Sequence, residues 1–158
     1  MFYMAIWMRS APTGRRCCMD LEPVRKAVAS VIDQAGFLLV EVNTARAGRR
    51  RIVRVLVDRP GRITVDECAD LSREISERLD SDLILEEPYI LEVSSPGVGR
   101  ELSTDVDWRR SVGRTLRVRM KNDEQFEAEL TDYDGSCLSF PDGRIVHVNM
   151  VKNAVEVL

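Results

Sequence analysis

Residues 89–100 read YILEVSSPGVGR. A short apolar run beginning after Pro88 ends at Val93 and gives way to Ser94-Ser95-Pro96-Gly97. That succession is a strand closing into a turn-forming junction, because proline and glycine end regular structure. The patterns on the two sides of it differ, so the chain divides near residue 96 into two domains.

On the amino-terminal side, Asp20 is placed to cap a helix with apolar positions at Leu21, Val24, Ala27, Val28, Val31, Ile32 and Ala35. Their three-to-four spacing marks one buried face. Pro23 falls in the first turn, where its missing N–H costs little, and Gly36 stops the helix. Phe37 to Asn43 is an apolar strand, Ala47-Gly48-Arg49 a turn, and Arg51 to Asp58 a returning strand with Val53, Val55 and Val57 on one face. Thr64-x-x-Glu67 is a capping box that opens a second helix over Val65, Cys68, Leu71, Ser72, Ile75 and Leu79. The outward face of this helix is acidic. The order helix, strand, strand, helix, strand predicts helices packed on a three-stranded sheet over residues 20–95.

On the other side, residues 96–112 make a linker with a short helix near Thr104 to Arg109, capped by Thr104 and packed through Trp108. From Gly113 the pattern is short strands and tight turns. Leu116, Val118 and Met120 alternate with Arg117 and Arg119, and turns fall at Lys121-Asn122-Asp123, Asp134-Gly135 and Asp142-Gly143. About five short strands over residues 113–158 predict a small barrel. The fold class is therefore α+β. Residues 1–19, with methionines at 1, 4, 8 and 19 and arginines after the apolar stretch, do not read as a secretory signal. They are expected to be a disordered extension or an upstream start ahead of the first domain.

Composition narrows the function. The chain has 158 residues and a net charge of -3, with 23 basic and 26 acidic groups, so any nucleic-acid contact must come from a local patch. No run approaches ~18 apolar residues, so no membrane partner is expected. The four cysteines contain no C-x-x-C pair, and a reducing cytoplasm is the simplest compartment. No cofactor or metal motif is present. Asp132-x-Asp134-Gly135 opens like a calcium loop, but Gly143 stands where a bidentate glutamate is needed, so it reads as a polar turn. His147, the sole histidine, sits in an alternating apolar run and reads as a strand residue, not a general base. Ser94 and Ser95 lack the glycines of a nucleophile elbow, and Glu86-Glu87 reads as solvated loop charge. A hydrolase built on either serine would need a base that the chain does not offer.

Two arginine clusters remain. Arg46, Arg49, Arg50, Arg51 and Arg54 surround the first hairpin. Arg100, Arg109, Arg110, Arg114, Arg117 and Arg119 run from the junction into the barrel. Arginine suits bidentate contact with phosphate, and a face paired with nearby carboxylates is the alternative use. Candidate contact residues are Arg49, Arg50, Arg100, Arg109, Arg110, Arg114, Arg117 and Arg119, with Ser94, Ser95, Pro96 and Gly97 as the junction.

The strand ending Glu92-Val-Ser-Ser-Pro-Gly97, followed by Trp108-Arg109-Arg110-x-Val112-Gly113-Arg114, resembles the bacterial RimP family of ribosome maturation factors. Ala35-Gly36-Phe37, Arg54-Val-Leu-Val-Asp58 and Ile63-Thr-Val-Asp-Glu-Cys68 occur in the family's order, and the likeness covers about residues 20 to 158. Where the family has Leu-Asp-Arg-Pro-Leu, this chain has Val98-Gly99-Arg100-Glu101-Leu102. The resemblance implies an amino-terminal α/β domain and a carboxy-terminal Sm-like barrel. It also implies a monomeric, cytoplasmic, non-enzymatic assembly factor that binds free small ribosomal subunits through ribosomal RNA and a ribosomal protein. An Sm-like module acting on single-stranded RNA is the alternative.

Overall fold

The computed structural model describes residues 4–9, 21–85 and 87–158, with side chains described from residue 21 onward. The chain forms two compact units, Met1–Asp58 with Ile63–Ser95, and Arg59–Arg62 with Pro96–Leu158. Among the described residues the fold is α+β, with three α-helices and small, mostly antiparallel sheets.

In the first unit, α1 (Leu21–Gln34) buries Val24, Ala27, Val28, Val31 and Ile32, the face its periodicity marks. Asp20, expected to cap it, lies outside the described residues. The strands of this sheet are β1 (Met4–Arg9), β2 (Leu38–Ala47), β3 (Arg50–Asp58) and β4 (Tyr89–Ser94), in the order β1-β4-β3-β2. β2 and β3 form the antiparallel hairpin, with Gly48 at φ 62° in its turn, a left-handed conformation that glycine adopts without steric cost. β3 and β4 run parallel, Val53 beside Leu91 and Val55 beside Val93, with α2 (Val65–Ser81) in the connection between them. Val53, Val55, Val57, Leu91 and Val93 meet Val28, Ile32, Leu71, Ile75 and Leu79 in one apolar core.

Among the described residues the sheet has four strands where three were expected. The additional strand, β1, pairs antiparallel with β4, Trp7 opposite Leu91, and comes from the segment read as an extension. The rest of that segment lies outside the described residues. Capping of α2 is as its sequence dictates, since the Thr64 hydroxyl accepts from the Glu67 amide at 3.2 Å and the Glu67 carboxylate accepts from the Thr64 amide at 2.8 Å.

The second unit holds α3 (Asp105–Arg110) and six strands in place of five: β5 (Thr115–Met120), β6 (Gln125–Glu129), β7 (Asp132–Tyr133), β8 (Cys137–Ser139), β9 (Ile145–His147) and β10 (Val151–Glu156). They form two three-stranded sheets, β10-β5-β6 and β7-β8-β9, and the described strand pairings do not close them into a barrel. The chain leaves one sheet for the other at Leu130-Thr131, and a short 3-10 turn at Val148–Met150 separates β9 from β10. Both sheets nevertheless feed one core. Leu116, Val118 and Ala154 come from the first, Leu138 and Val146 from the second, with Leu102 and Trp108 added to them.

Candidate functional site

The hairpin arginines do not act as one cluster. Arg46 and Arg51 both reach Glu87, at 3.1 Å and 3.4 Å, and Arg54 pairs with Glu92 across the β3–β4 ladder at 2.7 Å. Glu87, read from the sequence as solvated charge, is thus a partner for two arginines; Glu86 lies outside the described residues. Arg49 and Arg50 lie exposed at the tip, next to Gly48. A tip with two arginines can meet phosphates without disturbing the sheet beneath it.

The arginines of the second unit sort by depth. Arg117 and Arg119 alternate along β5 with the buried Leu116 and Val118, so both lie on its outer face. Arg117 meets Glu127, its cross-strand partner on β6, at 2.6 Å, and Arg119 meets Asp123 at 3.3 Å. Both pairs are about half exposed, and such pairs add little stability, so an incoming phosphate can displace them. Arg109 is also exposed and pairs with Asp105 one helical turn earlier, at 2.6 Å. That hydrogen bond is the largest influence holding the Asp105 carboxyl below the usual aspartate range.

Arg110 and Arg114 turn inward, which corrects their reading as contact residues. Arg110 is 1% exposed. Its Nε donates to Asp107 Oδ1 at 3.2 Å, and its guanidinium lies 3.9 Å from Glu156. Arg114 is held by Glu156 Oε2 at 3.1 Å and by the Arg59 carbonyl at 2.9 Å. Arg62 reaches the other Glu156 oxygen, and Arg100, partly exposed, stands 3.9 Å from Asp107. Buried guanidinium groups matched to buried carboxylates hold parts of a fold in register and leave nothing for an external anion. Burial opposes ionisation of Asp107 more than any other single influence. Hydrogen bonds from the Thr104 hydroxyl, the Thr104 and Ser103 amides and Arg110 together outweigh it and keep the carboxyl below the usual range.

The residues with conventional catalytic chemistry are occupied elsewhere. His147 Nδ1 accepts from the Asn149 amide at 3.2 Å, on the exposed side of β9. Asp134 Oδ1 accepts from the Ser136 and Cys137 amides at 2.8 Å and 2.7 Å, a turn-forming use of the carboxylate. These two bonds lower its pKa. Burial, then the Asp58 and Glu67 carboxylates, push the Cys68 thiol up to about 11, so it is not a nucleophile at neutral pH. Ser94 ends β4, Ser95 is exposed, and Pro96 is buried at the point where the second unit resumes.

Residues 27–99 match the RimP N-terminal domain. Over that stretch the chain is similar to the RimP family. A curated relative, the ribosome maturation factor RimP of Frankia casuarinae, is 45% identical over 101 residues, covering 61% of this chain and 38% of that protein. The chain thus spans well under half the length of that relative. The RimP match takes in the hairpin with Arg49 and Arg50, the capped α2 and the junction at Ser94–Gly97. At the departure from the family's pattern, Val98 and Gly99 form a turn, while the Leu102 amide donates to the Ala154 carbonyl at 2.9 Å and its side chain is buried.

Sequence reasoning missed the partners of the buried arginines. Asp107 carried a signal, since Thr104-x-x-Asp107 has capping-box spacing and Asp107 lies three residues before Arg110. Glu156 carried none, being 42 residues from Arg114 and 94 from Arg62.

Proposed function

We propose that this protein is a non-enzymatic ribosome maturation factor that binds the free small ribosomal subunit, gripping ribosomal RNA with exposed arginines and contacting a ribosomal protein. The match of residues 27–99 to the RimP N-terminal domain carries this reading, supported by the 45% identity to a ribosome maturation factor. The contact residues are Arg49 and Arg50 at the hairpin tip and Arg117 and Arg119 on β5, with Arg100 and Arg109 flanking them. The mechanism is conformational. Contacts that favour a native-like RNA arrangement raise its population, with no covalent step. The second unit is read as an Sm-like barrel, supported by the single core its two small sheets share.

Use of that barrel as a free single-stranded RNA binder is disfavoured by its aromatic groups. Base stacking needs an open ring face. Phe126 packs edge-on with Phe140 at 5.2 Å, and the Arg144 guanidinium lies over its ring at 4.1 Å. The Tyr133 hydroxyl donates to Asp105 at 3.1 Å. Sedimentation of a cell extract tests the proposal. The protein is expected with small subunits and not with complete ribosomes, and its confinement to light fractions would overturn the reading.

A further inference from the structure

The turn between β5 and β6 joins one clustered arginine, Arg119, to charges that the arginine clusters do not include. Asp123 Oδ1 receives two cations at once, Arg119 at 3.3 Å and Lys152 Nζ at 3.1 Å. Arg119 comes from β5 and Lys152 from β10, the strand beside it. All three side chains are exposed by half or more, and Lys121, also exposed, opens the same turn. Arg119, Lys121 and Lys152 outnumber Asp123 and Glu124, the two acids of this turn, and Glu124 lies 3.7 Å from Arg144, so positive charge is in local excess at this end of the sheet.

A carboxylate and a phosphodiester present the same thing to such a pair: one negative charge shared over two oxygens. We propose that Arg119 and Lys152 form a phosphate fork for an RNA backbone, and that Asp123 fills it in the free protein as an internal competitor. The proposal rests on the ribosome-maturation reading, which makes RNA the polyanion at hand.

Asp123 is free to play this part because the turn does not depend on its carboxylate. The Met120 and Glu124 backbones bond at 2.8 Å, the Asp123 amide donates to Met120 at 3.0 Å, and the Glu124 amide donates to the Asn122 side chain at 3.1 Å. Asp123 has φ 65°, a conformation asparagine tolerates as well as aspartate does. Asp123→Asn therefore keeps the turn and removes only the competing charge. A carboxylate kept for stability gives the opposite expectation, since its loss weakens the fold and leaves binding unchanged.

The test uses the full chain, with the unmodified protein, Asp123→Asn and Lys152→Gln each titrated against purified small subunits, a short labelled RNA oligonucleotide and poly-glutamate. Thermal melting confirms that each variant is folded. Releasing two exposed ion pairs is expected to tighten RNA binding roughly threefold to tenfold in Asp123→Asn. Lys152→Gln is expected to weaken it and to flatten the log–log salt dependence by about one unit. Unchanged RNA affinity in both variants overturns the fork, even if small subunits still bind and the maturation reading stands. If small subunits bind none of the three proteins, that reading fails, and the oligonucleotide alone decides the fork. An equal gain by Asp123→Asn for poly-glutamate overturns the assignment to RNA.

Discussion

Glu156 carries more of the second unit than any exposed pair, because Arg62, Arg110 and Arg114 all turn toward it. Glu156→Ala leaves the buried Arg114 guanidinium without its carboxylate, and breaking a buried pair from one side costs about 3–5 kcal/mol. Glu127→Ala removes an exposed pair and is expected to cost less than about 1 kcal/mol. Urea unfolding of the two variants checks the contrast. Asp107 supplies a pH dependence. Its folded pKa lies below the unfolded value of about 3.9, so the ionised group's contribution is complete above that value. It is lost as pH falls through the folded pKa. The stability difference between the unmodified protein and Asp107→Asn is therefore expected to shrink below about pH 4 in urea titrations across that range. The outward direction of Arg117 and Arg119 was legible from alternation with Leu116 and Val118. The inward direction of Arg110 was not, because a six-residue helix has too few turns to show a buried face.

Two capping boxes allow a comparison between elements. Thr64 and Glu67 open α2 on a half-exposed surface, while Thr104 and Asp107 open α3 around a fully buried carboxylate. The Thr104 hydroxyl also donates to Asp107 Oδ2 at 2.8 Å. Thr64→Ala is expected to cost about 1 kcal/mol, and Thr104→Ala at least as much again, since it strips a donor from a buried charge. Thermal and urea denaturation of the single variants measures this. Both helices of the first unit were legible because a 3.6-residue period repeats through several turns in each. β1 was not, since its partner lies in β4 and periodicity along a segment does not encode a long-range pairing. Two-residue β7 and the 3-10 turn at Val148–Met150 are too short to carry a period at all. Their effect is large, for they accompany the division of the second unit into two sheets where alternation alone suggested one closed barrel.

For the whole molecule, the proposed function depends on which arginines the fold presents outward after it has used others for itself. Arg51, Arg110 and Arg114 are withdrawn into the two units, whereas Arg46, Arg54, Arg109, Arg117 and Arg119 keep exposed pairs that a phosphate can displace. Under the proposed function such exposed arginines supply the attraction to RNA in a chain of net charge -3. Arg117 and Arg119 are fixed in direction by strand β5, so they lose less freedom on binding than two arginines at a hairpin tip. Arg117→Ala with Arg119→Ala is accordingly expected to weaken small-subunit binding more than Arg49→Ala with Arg50→Ala. The most direct measurement is titration of purified small subunits across a salt series with the unmodified protein and a variant combining all four substitutions. Binding by the unmodified protein is expected to fall steeply with salt. The variant is expected to bind more weakly, with a log–log slope flatter by up to about four units, one for each phosphate that an arginine no longer neutralises. Equal affinity and equal slope for the two proteins would contradict the account, because the exposed arginines would then take no part in holding the ribosomal subunit.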